Sequence, residues 1–189
     1  MDEVEKRRAC LVKAARARLA EIHSFLRRLG VDAATAEDLA QDTFLIAWQR
    51  ASRLRGERQL KGWLYGIAYR RYLQYRETAR SQTTIELTEE VVESGADPGG
   101  GQRLSDYVVR GALMALPEAY AHPLVLVYWQ GLSYLEAARV LSLPVGTLAW
   151  RVHKGLKMMR RALAEKGLDD VLATHTSPPD RRADPVCED

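Results

Sequence analysis

Cysteine is scarce in this 189-residue chain and long apolar runs are missing from it. Its two cysteines, Cys10 and Cys187, stand at opposite ends, without the close pairing of a metal site or a disulfide framework, which suits a reducing compartment. The longest unbroken apolar stretch, Leu124 through Trp129 after Pro123, falls far short of the roughly 20 residues of a spanning helix, so no membrane insertion is expected. The N-terminal run MDEVEKRRACLVKAARARL is charged throughout and lacks the apolar segment of a secretory signal, which makes the cytoplasm the expected location. Catalytic signatures are missing too. His23, His122, His153 and His175 are scattered with no HExxH spacing, the glycine-rich GADPGGGQR lacks the Lys and Ser/Thr of a phosphate loop, and neither cysteine has a nucleophile context. No enzyme, metal or cofactor is expected, and no alternating strand pattern or internal repeat is visible.

What is present is apolar content and unevenly placed charge. At 47% hydrophobic and 28% charged, the chain can fold as one compact domain or two small ones. The net charge of +3 hides a pattern. Residues 1–80 carry 17 Lys and Arg against 10 Asp and Glu, and residues 81–106 carry 1 against 6. Residues 107–168 then carry 8 against 3, and residues 169–189 carry 2 against 6. Two basic blocks therefore alternate with two acidic ones.

The first basic block is helical in period. Val4, Leu11, Ala15, Leu19, Ile22, Phe25 or Leu26, and Leu29 recur at three, four or seven residues until Gly30 stops the run. Asp32 is placed to cap a second helix over residues 33–51, with Leu39, Thr43, Phe44, Ala47 and Trp48 near one face. A cation-rich loop, RLRGERQLKG, precedes a third helix from Trp63 to about Thr78 that interleaves Trp63, Tyr65, Tyr69, Tyr72 and Tyr75 with arginines. The acidic, glycine-rich run that follows cannot bury enough apolar surface to order itself and reads as a linker. From Leu104 helical patterning resumes, with Val108, Leu113 and Leu116 inward. The expected organisation is all-α: a helical domain over residues 1–80, a flexible acidic linker over 81–105, a second helical domain over 106–168, and an acidic disordered tail over 169–189.

The second domain carries the sharper pattern. Gly131 closes one helix, and Ser133 with Glu136 forms a capping box for the next, whose inner face is Ala137, Ala138 and Leu141. Leu143, Pro144, Val145 and Gly146 read as a tight turn. The following helix buries Leu148, Val152, Leu156, Met159 and Leu163 and turns Thr147, Trp150, Arg151, His153, Lys154 and Lys157 outward. This is the arrangement of a helix-turn-helix with a basic recognition helix, with a helical hairpin bearing a solvated face as the lesser alternative.

Three collinear segments decide between these. LPEAYAHPLVLVYWQGLSYLEAARVLSLPVGTLAWRVHKGLKMMRRAL resembles region 4 of extracytoplasmic-function (ECF) sigma factors of the sigma-70 family. AEDLAQDTFLIAWQR resembles their region 2.2, and LKGWLYGIAYRRYLQYRE their regions 2.3 and 2.4. The resemblance implies a region 2 helical bundle and a region 4 helix-turn-helix joined by a flexible linker. It also implies a factor that binds core RNA polymerase, recognises and melts specific promoters, and is held in check by an anti-sigma factor. In the family the linker threads the polymerase near the RNA exit path, where an acidic segment would imitate nucleic acid.

Carried over residue by residue, Asp38, Gln41, Asp42, Leu45 and Trp48 match the face that docks on the clamp helices of the largest polymerase subunit. Their spacing places acids and amides around an apolar anchor on one helical side; read without the family, they fit a partner interface and a solvated acidic first turn equally well. For the minus-ten element the matching residues are Arg53, Arg55, Arg58, Gln59 and Lys61 in the loop, with Arg70, Arg71, Gln74 and Tyr75 on the third helix. Together they offer cations to phosphates and faces or amides to unstacked bases. Trp63 and Tyr65 fit the core better than a base platform. For the minus-thirty-five duplex they are Thr147, Trp150, Arg151, His153, Lys154 and Lys157. The family usually has Asn at Arg70, often Asp at Gln74, a cation at Ala149, Ser at Trp150 and Arg at Leu156, so its promoter preference does not transfer. Two fewer cations would flatten the salt dependence of duplex binding by about two units. Trp150 has three open readings: against a thymine methyl, in an interface with a regulatory protein, or folded onto its own domain. Rival functions are a sigma-like adaptor without promoter reading and a free helix-turn-helix regulator, the latter leaving the region 2 segments unexplained.

Overall fold

The computed structural model describes residues 3–54, 56, 59–82 and 102–165. All regular structure among these residues is helical, in two compact units.

In the first unit, α1 (Glu3–Arg28), α2 (Ala33–Gln49) and α3 (Leu60–Gln82) pack around one core. Leu11, Ile22, Phe25 and Leu26 of α1 are buried, whereas Leu19, expected inward, lies at the stripe's edge and is exposed. Gly30, at φ +91°, takes the left-handed conformation that ends α1. Asp32 then accepts a hydrogen bond from the Thr35 N–H at 2.9 Å and caps α2. Buried Ala36, Leu39, Ala40 and Ala47 line the inner side of α2, and buried Thr43 satisfies its hydroxyl by donating to the Leu39 carbonyl at 2.7 Å. Phe44 is half-buried and Trp48 is exposed, so the inward face is narrower than the periodicity suggests.

After α2 a 3₁₀ turn, Ala51–Arg53, is pinned by buried Ala51 and Leu54. α3 begins at Leu60, three residues before the expected start, because Leu60 is buried and the Gln59 N–H donates to the Gly56 carbonyl at 3.1 Å, starting the helical path early. Lys61 is therefore in the first turn of α3 and not in the loop. Tyr65 meets Phe25 edge to face with centroids 5.1 Å apart, and the Tyr72 hydroxyl donates to the Leu29 carbonyl at 3.2 Å. Burial, reinforced by the Glu21 carboxylate, pushes the Tyr65 hydroxyl pKa well above its ordinary value.

The second unit contains α4 (Gln102–Met114), α5 (Glu118–Leu124), a π-helical turn (Val125–Trp129), α6 (Tyr134–Val140) and α7 (Val145–Ala164). Among the described side chains of α4, Val109, Ala112 and Leu113 are buried and Val108 is only half-buried. Pro123 lies inside α5 and has no N–H to donate; the helix widens just after it, and the Gln130 N–H reaches back five residues to the Val125 carbonyl at 3.0 Å. Gly131, at φ +61°, ends this segment. Ser133 and Glu136 form the capping box of α6, each satisfying a backbone N–H of the other. Pro144 caps α7, which starts at Val145, so Val145 and Gly146 are helical and not part of the turn. Leu148, Val152, Leu156, Met159 and Leu163 are buried as a continuous stripe, each contributing about 1.5–3 kcal/mol of hydrophobic stabilisation.

α3 ends at Gln82 and α4 begins at Gln102, so the helices extend past both edges of the linker expected over residues 81–105. Its interior, residues 83–101, lies outside the described residues, as does the tail expected over 169–189.

Candidate partner and nucleic-acid interfaces

On α2, Asp38 and Gln41 are exposed, Asp42 is half-buried, and Leu45 and Trp48 retain 60% and 41% of their surface. The five candidate polymerase-binding residues thus share the side of α2 opposite its buried stripe. The apolar anchors are partly supported: the Arg8 guanidinium lies 5.3 Å from the Trp48 ring centroid, and Arg7 donates to the Ser52 carbonyl at 2.9 Å. α1 therefore braces the end of α2 that carries Trp48.

On α3, Arg70, Gln74 and Tyr75 are exposed, and Arg53 and Gln59 are exposed at the approach to the helix. Lys61 is half-buried. Arg55 and Arg58 lie outside the described residues. Tyr65 and Tyr72 are core, while Trp63 and Tyr69 are half-buried, which leaves Trp63 part of a face for contact. Arg71 behaves differently from its neighbours. It donates to Asp42 at 2.5 Å and to the Gln74 side-chain carbonyl at 2.9 Å, so one arginine joins the α2 candidate face to the α3 candidate face. The sequence placed Asp42 and Arg71 in separate sets, and no local spacing announces a pair 29 residues apart.

On α7, Trp150, His153, Lys154 and Lys157 are exposed, and Thr147 and Arg151 are half-buried. Trp150 is not folded into the core: it is 55% exposed and leans on Tyr120 of α5, with centroids 6.0 Å apart. The Lys154 ammonium sits 4.8 Å from the Trp150 ring and 5.4 Å from the Tyr120 ring. Gly155 makes this possible, since a Cβ there would lie 3.1 Å from Leu124 and 3.2 Å from the Tyr120 carbonyl oxygen. α5 and α7 touch through that gap. Tyr120 and Gly155 were missed by sequence reasoning, because only the crossing of two helices gives them a role. Leu156 is buried, so of the two cation positions vacant relative to the family only Ala149 belongs outside the core.

Among the described residues the chain is all-helical, with an exposed basic helix following a short capped helix in one unit and an acidic helix face bearing exposed Leu45 and Trp48 in the other. Residues 14–82 match the family model described as Sigma-70 region 2, and residues 108–159 match that described as Sigma-70, region 4. The chain is 31% identical over 144 residues to the RNA polymerase sigma-H factor of Pseudomonas aeruginosa, covering 70% of this chain and 75% of that protein. It is 29% identical over 143 residues to the ECF RNA polymerase sigma factor SigW of Bacillus subtilis, covering 69% of this chain and 76% of that protein. Among solved structures it is similar to the sigma factor RpoE in complex with the anti-sigma factor NepR from Bartonella quintana. That match has a TM-score of 0.69 at 25% identity and covers 80% of this chain and 95% of that one. The chain belongs to the sigma-70 family of RNA polymerase sigma factors, in its ECF group. None of the helices among the described residues is long and apolar enough to cross a membrane.

Proposed function

We propose that this chain binds core RNA polymerase, directs it to promoters with two separated elements and melts the downstream one. The observation that carries the reading is the pairing of both family regions, in order, with an outward face on each unit opposite its core. Asp38, Gln41, Asp42, Leu45 and Trp48 dock on the clamp helices of the largest subunit, the exposed Leu45 and Trp48 supplying the apolar centre of the contact. Arg53, Gln59, Lys61, Arg70, Gln74 and Tyr75, with Arg55 and Arg58, engage the minus-ten element, and Arg71 acts through Asp42 and Gln74. Thr147, Trp150, Arg151, His153, Lys154 and Lys157 face the minus-thirty-five duplex. Bond formation stays with the polymerase; this chain supplies recognition and strand separation, with no catalytic group or cofactor of its own. Such a protein works in the cytoplasm, with residues 1–80 and 106–168 as its working domains, 81–105 as the connector and 169–189 as an acidic tail.

Control by an anti-sigma factor belongs to the same reading, supported by the similarity to a sigma factor crystallised with one. The test is reconstitution with core polymerase, gel filtration and run-off transcription from genomic fragments. A stable complex that initiates at discrete sites is expected. A complex without initiation would leave a sigma-like adaptor, and no complex would leave a free helix-turn-helix regulator.

A further inference from the structure

Resting on the reading that α7 enters duplex DNA, we propose that Trp150 is a specificity-determining residue that sets its indole against the 5-methyl group of a thymine in the major groove. The electrostatics favour nucleic acid as the occupant of this face. α7 carries Arg151, Lys154, Lys157, Arg160 and Arg161 and no carboxylate between Val145 and Ala164. Trp150 is in the N-terminal third of α7, the part of a recognition helix that reaches base edges, and it shares an outward side with Lys154 and Lys157 at four- and seven-residue spacing.

The indole is also held in place before any contact. Gly155 lets α5 approach α7, which raises the Tyr120 ring beside Trp150, and Lys154 lies against both rings. A side chain already braced on one side loses less freedom on binding. What it can read follows from the groove itself: the other base-edge groups there are hydrogen-bond donors and acceptors, whose hydration an indole face would remove without replacement. The thymine methyl is the apolar group. The face therefore favours thymine at the base step that Trp150 covers.

The test uses the full-length chain and an upstream element enriched from a randomised promoter library by the reconstituted holoenzyme. Each thymine of that duplex is replaced in turn by deoxyuridine, which removes the methyl group alone, and binding is followed by fluorescence anisotropy. At one position the wild type is expected to weaken about three- to fivefold, the equivalent of one buried methyl. Trp150→Ser, with its helical circular dichroism unchanged, is expected to bind less tightly and to be indifferent to that same replacement. Tyr120→Phe should keep the discrimination and Tyr120→Ala should reduce it. Indifference of the wild type at every thymine, or a Trp150→Ser variant as sensitive as the wild type, would overturn the inference while leaving promoter-directed initiation intact. Failure to enrich any upstream element would instead contradict the reading on which the inference rests.

Discussion

Two residues show how much of this molecule depends on single atoms. Asp32 is held below the usual carboxylate range by hydrogen bonds from Thr35, side chain first and then backbone, against a smaller opposing effect of burial. A carboxylate with a lowered folded-state pKa stabilises the fold above its unfolded value, and that contribution is lost as pH falls through the lowered one. Asp32→Ala should cost about 1 kcal/mol in urea unfolding near neutral pH. Asp32→Asn should retain most of the cap and lessen the loss of stability as pH falls through the carboxylate range. Gly155 is the second case. Ala would gain in helix propensity, but its Cβ would press on a backbone carbonyl that cannot swing aside. Gly155→Ala should therefore lower stability by about 1–2 kcal/mol, seen as a lower Tm, and weaken the contact between Tyr120 and Trp150. The cap at Asp32 was legible in the sequence because it is written in neighbouring residues. The need for glycine at 155 was not, because what crowds it comes from positions 120 and 124.

At the scale of elements, the α2 and α3 faces are tied by the ion pair between Asp42 and Arg71, both partly exposed. A double-mutant cycle with Asp42→Ala and Arg71→Ala should give a coupling of about 0.5–1 kcal/mol that shrinks at high salt, as expected where solvent screens the charges. A coupling indistinguishable from zero at low salt would mean that Arg71 is free to serve DNA directly. Helix existence and inward stripes were readable where apolar periodicity was long: the buried run Leu148, Val152, Leu156, Met159 and Leu163 stands as its spacing predicts. The capping box at Ser133 and the stop at Gly30 were equally local and equally readable. Boundaries and partners were not. α3 starts early because tertiary burial of Leu60 outweighs the loop character of its surroundings, and Trp48 faces out because α2 needs only a narrow contact with its neighbours. The candidate sets could be named from the sequence alone, but the contacts of Arg8 with Trp48 and of Tyr120 with Trp150 required the fold.

For the whole molecule, the modest net charge of +3 is the residue of opposing blocks. The positive ones coincide with the two units that carry candidate DNA faces. Duplex binding should consequently weaken steeply with salt, and Lys157→Ala, a single exposed cation on α7, should reduce the slope of log affinity against log salt by about 1. On the proposed reading, the regions matched by residues 14–82 and 108–159 divide the labour of a promoter into two elements. The most direct measurement of that division is the sequencing of transcripts initiated by the reconstituted holoenzyme on a randomised promoter library. Start sites preceded by two enriched elements at a fixed spacing are predicted, with Arg151→Ala combined with Lys157→Ala erasing the upstream element and sparing the downstream one. Start sites that share no upstream element, or an upstream element unaffected by that double substitution, would contradict the account.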